Sequence, residues 1–217
     1  MTSLKHIALF GGSFDPPHLG HIALVKAALE HLHIDELWLI PVGLPVHRKL
    51  SGKATDTQRL DWLSEIFNDE EPVKIVDWEM QNSNPTPAID TLRRFQKENQ
   101  HMIPTWLMGM DSFLDLPNWV DYPEHQKLCN LAVFHRKGVK DDVITNTWKS
   151  IGLLEWQNQR PQLAGHMVCL DVDLPHVSST HIRQNAKANK ALLAQSNCNA
   201  ILACYDSDLR NHKERDT

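Results

Sequence analysis

The sequence predicts an α/β fold with one doubly wound parallel sheet, and two observations lead to that prediction. Short apolar runs of strand length alternate with longer stretches whose apolar residues recur at helical spacing. Turns rich in glycine and proline separate the two kinds of segment. Strands that alternate with helices form parallel sheets covered on both faces, and right-handed crossovers wind the chain to either side of the first strand.

Six segments have the composition of buried strands, because each is a short apolar run bounded by glycine, proline or polar residues. The first, Lys5–Phe10 (KHIALF), ends at a pair of glycines, and Glu36–Pro41 (ELWLIP) ends at a proline. The predicted strands cover 5–10, 36–41, 73–78, 104–109, 131–135 and 166–172. We expect the ligand site beyond the carboxyl ends of these strands, as in other doubly wound sheets.

Helices are predicted between the strands. Residues 19–32 carry apolar side chains at helical spacing, and Asp56 is predicted to be the N-cap of a second amphipathic helix. The remaining helices are expected over 89–100, within the stretch between 109 and 131, and in segments that begin near Ser178 and Lys190. Residues 138–165 have no clear periodicity, and we expect an irregular excursion there.

Composition limits the function classes. The chain has 217 residues, of which 41% are hydrophobic and 23% are charged, and we assign 1–205 to a single domain and 206–217 to a polar C-terminal tail. The formal net charge of −5 gives no basic field that would favour nucleic acid or anionic lipid. No apolar run approaches the roughly 20 residues of a membrane span, and the N-terminal run is too short for a secretory signal. We therefore expect a cytoplasmic enzyme or binding protein.

Residues 11–21 (GGSFDPPHLGH) join the first predicted strand to the first predicted helix. Gly11 and Gly12 permit a sharp turn and let a ligand approach the main chain. The N-terminus of the helix offers unpaired N–H groups and the positive end of its dipole, which favour an anion. His18 and His21 are three positions apart, so their imidazoles project to the same side, toward that anion. Because no third ligand has suitable spacing, the pair favours anion stabilisation over metal binding.

Residues 177–183 (VSSTHIR) form a second polar cluster. The hydroxyls of Ser178, Ser179 and Thr180 stand before a predicted helix, where they can hold phosphate oxygens together with the helix N–H groups. Arg183 adds a guanidinium that can bind negative charge in a bidentate manner. The same run would also serve as an ordinary helix N-cap, and taken alone the segment leaves both interpretations open.

The two segments together carry a family resemblance. H-x-G-H after a first strand looks like the nucleotidylyltransferase superfamily, and GGSFDPPHLGH resembles the start of the bacterial nicotinate-mononucleotide adenylyltransferases. Residues 177–183 resemble the I-S-S-T-x-I-R motif that completes the triphosphate site in that superfamily. The resemblance implies a Rossmann-like nucleotidylyltransferase fold and a transferase that moves AMP from ATP to the 5′-phosphate of nicotinate mononucleotide. Its products would be deamido-NAD and pyrophosphate, within NAD biosynthesis.

The resemblance also implies roles for residues. His18 would stabilise the α-phosphate in the transition state, and His21, Ser179, Thr180 and Arg183 would hold the β- and γ-phosphates. The other implied ATP contacts are Gly11, Gly12, Ser13, Phe14, Gly20, Gly109, Asp111 and Ser178. Because the acceptor's 5′-phosphate is already an anionic nucleophile, the reaction needs alignment and charge stabilisation rather than a general base. Mg²⁺ would be bound chiefly through ATP oxygens and water, with no dedicated set of protein ligands.

Residues between the two motifs are implied to bind the acceptor. The sequence PVHR resembles the family's P-P-H-[KR] loop, which implies acceptor contacts for His47 and Arg48. Trp119 stands where the family stacks a tryptophan on the pyridine ring, and Arg136 stands where it has a basic residue near the substrate phosphate. The turn GMDS, residues 109–112, resembles the family's G-x-D-S turn, whose aspartate contacts the adenosine moiety.

One segment departs from the family pattern. The family usually has P-S-Y-T-x-D-T-L, whereas residues 85–92 are PTPAIDTL, with Thr86 as an implied acceptor contact. Pro87 and Ala88 replace the Tyr-Thr pair that helps to form the nicotinate pocket, and proline also removes a backbone N–H. The choice of acceptor is therefore open: it could be nicotinamide mononucleotide or another phosphate such as phosphopantetheine.

Two alternatives from other classes remain. The chain could be a non-catalytic nucleotide sensor derived from the fold, although it retains both histidines and Arg183. A nucleic-acid-binding module is disfavoured by the net charge of −5 and by the absence of a clustered basic patch in the sequence. A homo-oligomer is compatible with everything in the sequence.

Overall fold

A computed structural model describes residues 5–46, 54–136, 152–156, 161–194 and 198–205, and within them seven parallel strands form one sheet. The strands are β1 Ile7–Gly12, β2 Glu36–Pro41, β3 Val73–Ile75, β4 Thr105–Gly109, β5 Asn130–Arg136, β6 Leu154–Glu155 and β7 His166–Val172. Their order in the sheet is β3-β2-β1-β4-β5-β7-β6. The chain therefore winds outward from β1 in both directions, and the switch lies between β1 and β4, where this class of sheet binds its ligands.

Seven helices and two short 3₁₀ turns lie between or after the strands in the described residues. The helices are α1 Leu19–His31, α2 Asp56–Phe67, α3 Ala88–Glu98, α4 Met110–Asp115, α5 His125–Leu128, α6 Ser179–Gln184 and α7 Cys198–Tyr205. The 3₁₀ turns are Leu116–Asn118 and Lys190–Leu192. None of these helices is both long and apolar enough to cross a membrane.

The central strand supplies side chains to both faces of the sheet. Ile7 and Leu9 pack into a core that includes Phe95 of α3, while Ala8 and Phe10 pack into a second core that contains the buried face of α1. This alternation follows from the two-residue period of a strand. Burial of large apolar side chains in such a core stabilises a fold by roughly 1.5–3 kcal/mol per side chain.

A third apolar cluster holds the C-terminal helices. Ile182 of α6 and Ile201 of α7 are fully buried and pack with Trp62 of α2. This cluster fixes the second polar motif beside the loop that follows β1. The polar tail 206–217 lies outside the described residues.

The structure confirms the predicted fold class and corrects several boundaries. Thr55, not Asp56, is the N-cap of α2: its Oγ1 accepts from the Gln58 N–H at 3.2 Å, and the Gln58 side chain accepts from the Thr55 N–H at 2.9 Å. This reciprocal pair is a capping box, which the sequence T-D-T-Q encodes. Near Lys190 the chain makes a 3₁₀ turn, and the last described helix begins at Cys198 instead. The two-residue strand β6 was not predicted.

Candidate active site

The loop that follows β1 is shaped by close packing. A Cβ on Gly11 would lie 2.9 Å from Cζ2 of Trp106, and one on Gly12 would lie 3.0 Å from Cζ of Phe14. Phe14 has a positive φ of 45° and is fully buried, so its side chain packs against its neighbours instead of lying open to ATP. Its ring meets that of His21 edge-on at 4.9 Å between centroids. The glycines thus make room for two aromatic rings that hold the loop and His21 in place.

The two predicted histidines stack on each other. Their ring centroids are 3.7 Å apart with 18° between the planes, and Nδ1 of His21 accepts from the His18 N–H at 3.2 Å. A neutral His21 that accepts at Nδ1 carries its proton on Nε2, which leaves that N–H to donate elsewhere. A Cβ on Gly20 would lie 3.1 Å from the His18 ring, so the glycine leaves the space that this stacking needs.

Burial makes both imidazoles neutral at pH 7. It lowers the pKa of His18 to about 4, and it lowers the pKa of His21 well below the ordinary value, with a further contribution from the charge of His18. His18 is 6% exposed, and its Nδ1 is buried without a hydrogen-bond partner among the described residues. A buried polar atom of this kind carries an energetic cost unless a ligand satisfies it.

The second motif is brought against the same loop. Ser178 caps α6 by accepting from the His181 N–H at 3.2 Å, as the N-cap interpretation predicts. Ser179 Oγ donates to the Pro16 carbonyl at 2.9 Å. Arg183 donates from Nη1 to the Asp15 carbonyl at 2.5 Å and from Nη2 to Thr180 Oγ1 at 3.0 Å. Residues more than 160 positions apart are thereby joined into one polar site beside the histidine pair.

Two residues that the sequence did not single out hold this site together. Arg59 of α2 is fully buried and donates from Nη1 to the carbonyls of Ser13 at 2.8 Å and Val42 at 2.7 Å. Tyr205 of α7 donates from its hydroxyl to the Asp15 carboxylate, and burial raises the pKa of this tyrosine. Arg59 falls on the buried face of α2, four positions before Leu63, and a cation there is a signal that sequence reasoning could have used.

A cavity of about 350 Å³ opens beside the loop, at the carboxyl ends of β1 and β4. The predicted site residues that line it are Gly11, Gly12, Ser13, Thr86, Gly109 and Trp119. The indole of Trp119 meets Trp106 edge-on at 6.4 Å and His125 edge-on at 5.6 Å between centroids. Pro87 and Ala88, the positions that depart from the family pattern, line the same cavity. Residues predicted to contact ATP and residues predicted to contact the acceptor therefore line the same cavity.

Among the described residues, the cavity is also lined by two ionisable side chains that the sequence did not indicate. Glu79, between β3 and α3, is 3% exposed, and its Oε1 accepts from Thr91 Oγ1 at 2.6 Å. Burial raises the pKa of Glu79 to about 7, although the hydrogen bond from Thr91 opposes that rise. His125 is 2% exposed, and burial lowers its pKa. Neither residue belongs to a motif, so nothing in the sequence pattern marked them.

For the other predicted site residues, the structure gives only a position in the fold or no description. Asp111 lies exposed in the first turn of α4, after the N-cap Gly109. Arg136 is the last residue of β5, which puts its backbone at the carboxyl edge of the sheet. His47 and Arg48 lie outside the described residues.

Comparison with known proteins gives consistent results. A family model described as cytidylyltransferase-like matches residues 9–185. A protein of Chlorobium phaeobacteroides named "probable nicotinate-nucleotide adenylyltransferase" is 34% identical over 194 residues, which are 88% of this chain and 91% of that protein. A protein of the same name from Nitratiruptor is 41% identical over 134 residues, which are 62% of this chain and 75% of that protein.

Solved structures have the same fold. A Plasmodium falciparum nicotinic acid mononucleotide adenylyltransferase complexed with NaAD matches with a TM-score of 0.74 at 17% identity, over 93% of this chain and 98% of that one. The structure of that enzyme complexed with APC matches with a TM-score of 0.64 at 16% identity, over 97% of this chain and 95% of that one. These likenesses confirm the nucleotidylyltransferase fold that the sequence motifs implied.

Proposed function

This chain belongs to the cytidylyltransferase-like family, and we propose that it transfers AMP from ATP to the 5′-phosphate of nicotinate mononucleotide, giving deamido-NAD and pyrophosphate. The proposal rests on one observation: the structure brings the two sequence motifs into contact with each other. The stacked pair His18 and His21 lies at the start of α1, directly after the loop to which Ser179 and Arg183 are hydrogen-bonded. Relatives that match most of this chain carry the name of that activity.

The charges of the site suit a reaction between anions. Neutral imidazoles present N–H donors to phosphate oxygens, and the reaction needs no general base because the acceptor phosphate is already ionised. We assign His18 to the α-phosphate from its motif position and from its place beside His21 at the start of α1. His21, Ser179, Thr180 and Arg183 would hold the β- and γ-phosphates and stabilise the charge of the leaving pyrophosphate. The protein would thus contribute alignment and charge stabilisation.

The two substrates would meet at the switch point of the sheet. The acceptor would occupy the cavity of about 350 Å³, with its pyridine ring against Trp119 and its polar groups near Thr86. Adenosine would lie near Gly109 and Asp111, at the start of α4. His47, Arg48 and Arg136 remain proposed acceptor contacts on the strength of their motif positions.

Mg²⁺ would reach the site on ATP. When bound, it would neutralise phosphate charge during the transfer. The described residues bring no group of three or more His, Cys, Asp or Glu side chains together in an arrangement that could hold a metal ion. Phosphate oxygens and water would then be its main ligands, which is the usual manner for Mg²⁺ at nucleotide sites.

We also propose that the protein acts in the cytoplasm on these small nucleotides. The net charge of −5 supports nucleotide substrates over nucleic acid as partners.

The test is release of pyrophosphate from ATP and Mg²⁺ in the presence of nicotinate mononucleotide. We expect release that depends on the acceptor and produces deamido-NAD in equal amount. If ATP binds in calorimetry while neither nicotinate mononucleotide nor nicotinamide mononucleotide yields pyrophosphate, the proposal is wrong and a nucleotide sensor fits better. If only phosphopantetheine serves as the acceptor, the proposed adenylyl transfer is correct and the proposed acceptor, nicotinate mononucleotide, is wrong.

A further inference from the structure

The described wall of the proposed acceptor cavity carries a buried carboxyl group, Glu79, whose protonation state would affect a carboxylate-bearing ring. Among the described residues that line it, Glu79 and His125 are the ionisable side chains, and none is a lysine or arginine. A pyridine carboxylate placed near Glu79 would meet a buried carboxyl group. Two carboxylates in a buried site repel each other strongly, because the surroundings screen their charges poorly.

Glu79 is held firmly at the wall of this cavity. Thr91 Oγ1 donates to its Oε1 at 2.6 Å, and no described residue donates to Oε2. A Cβ on Gly43 would lie 2.2 Å from the Glu79 carbonyl oxygen, so the chain after β2 packs directly on the Glu79 backbone. The side chain is 3% exposed and lines the cavity. Its second carboxyl oxygen is thus left for whatever occupies the cavity.

We propose that Glu79 is a specificity-determining residue, whose carboxyl group contacts the 3-substituent of the acceptor's pyridine ring and sets the preference between carboxylate and carboxamide. The inference rests on the function proposed above. A protonated Glu79 donates its O–H to a ring carboxylate, whereas an ionised Glu79 repels it. A carboxamide suits both states, because its N–H group donates to the ionised form and its oxygen accepts from the protonated form.

The surroundings of Glu79 bring its change of protonation state into the pH range of an ordinary enzyme assay. Burial raises its pKa to about 7. Its described contacts add no charge: Thr91 of α3 offers a hydroxyl, and Gly43 packs on its backbone. His125 lines the same cavity, and its lowered pKa keeps it neutral near pH 7. Both ring nitrogens of His125 are buried without a described partner. The preference for nicotinate over nicotinamide mononucleotide should therefore fall as the pH rises through about 7.

The experiment measures kcat/KM for both acceptors by pyrophosphate release, from roughly pH 6 to pH 9. The ratio of the two values cancels the titration of ATP and of the 5′-phosphate, which both acceptors share. In the wild-type protein we expect the nicotinate-to-nicotinamide ratio to fall by up to about tenfold per pH unit above pH 7. In Glu79→Gln the side chain cannot ionise, so the ratio should become independent of pH. Glu98→Gln, on the exposed end of α3, is the matched control and should retain the wild-type profile.

A second variant separates this role from a merely structural one. Thr91→Val removes the hydrogen bond that favours ionised Glu79, so the midpoint of the ratio's pH profile should move upward. A wild-type ratio that does not change with pH, or a Glu79→Gln profile that matches the wild type, overturns the inference. Pyrophosphate release from nicotinate mononucleotide with a flat ratio leaves the proposed function intact, whereas no release with either acceptor overturns that function. If Glu79→Gln does not fold, the inference is tested by the pH profile of the wild-type ratio and by the midpoint of the Thr91→Val profile. A flat wild-type ratio, or an unshifted midpoint in Thr91→Val, then overturns it.

Discussion

The two halves of the candidate site are built in different ways. The proposed phosphate end consists of two short motifs, one around His18 and His21 and one around Ser179 and Arg183, joined by hydrogen bonds to the main-chain carbonyls of Asp15 and Pro16. The proposed acceptor end is a cavity whose walls come from scattered positions, including Glu79, Trp119 and His125.

Their electrostatics differ as well. At the phosphate end, burial holds two bases in their neutral form, whereas at the acceptor end it favours the neutral form of an acid. The proposed phosphate ligand would be held by a fixed arrangement of donors within two motifs. Recognition of the acceptor's ring substituent would depend on scattered side chains that one substitution can change.

The largest expected effect is the loss of the buried histidine at the phosphate end. His18→Ala should reduce kcat by a hundredfold or more, about 3 kcal/mol, because the N–H donor acts on charge that develops at the α-phosphate. The KM for the acceptor should change little. Steady-state pyrophosphate release checks this, with His31→Ala at the exposed end of α1 as the control. An unchanged kcat in His18→Ala would remove the residue from that role.

Arg59 joins two loops of the site, since it donates to the Ser13 carbonyl after β1 and to the Val42 carbonyl after β2. Arg59→Met should retain most of the buried volume but leave both carbonyls without this donor. We expect a loss on the order of 3 kcal/mol in the free energy of unfolding, because buried carbonyls without a partner are costly. Urea denaturation measures it, and Arg94→Met, at a half-buried position on α3, is the comparison. Equal losses in the two variants would contradict the special role of Arg59.

The two halves should respond to pH in opposite directions. For His18 the folded-state pKa of about 4 lies below the unfolded value near 6.5, so its contribution to stability is complete above pH 6.5 and is lost on acidification toward pH 4. For Glu79 the folded-state pKa of about 7 lies above the unfolded value near 4.5, so its contribution is complete below pH 4.5 and is lost as the pH rises through 7.

The variant Glu79→Gln isolates the contribution of Glu79 to the pH dependence of stability. Relative to this variant, the wild-type protein should lose about 2 kcal/mol of unfolding free energy between pH 5 and pH 8. Urea denaturation of both proteins at the two pH values gives the difference directly. A constant difference would show that Glu79 has the same protonation state throughout, and would also argue against its role in acceptor choice.

The smallest expected effect concerns the support of the phosphate end. Tyr205→Phe removes the hydroxyl that donates to the buried Asp15 carboxylate but retains the ring that packs near Trp62. We expect a loss of about 1 kcal/mol in the free energy of unfolding and a modest rise in the KM for ATP, since Asp15 lies beside Arg183. Thermal unfolding and initial rates check both, and an unchanged stability would show that Asp15 needs no partner from α7.

Much of the fold could be predicted because its signals are local. Glu36–Pro41 and His166–Val172 are strands with the predicted limits, because short apolar runs bounded by glycine, proline or polar residues are typical of buried strands. The strand Leu154–Glu155 escaped prediction because two residues carry no periodicity, and its pairing with β7 depends on a distant partner. The N-cap of α2 was misplaced by one residue because Thr55 and Asp56 are both good caps, and the side chain of Gln58 decides between them.

The sequence by itself predicted the fold class, most of its elements and the two motifs proposed to bind phosphate, because the residues of each motif are neighbours along the chain. Only the tertiary structure decided that Arg59 joins two loops, that Tyr205 supports Asp15, and that Glu79 lines the acceptor cavity. These residues acquire their roles through burial. A carboxyl group in the sequence has an ordinary pKa, and it becomes an acid that is half-protonated near neutral pH only when packing removes it from water.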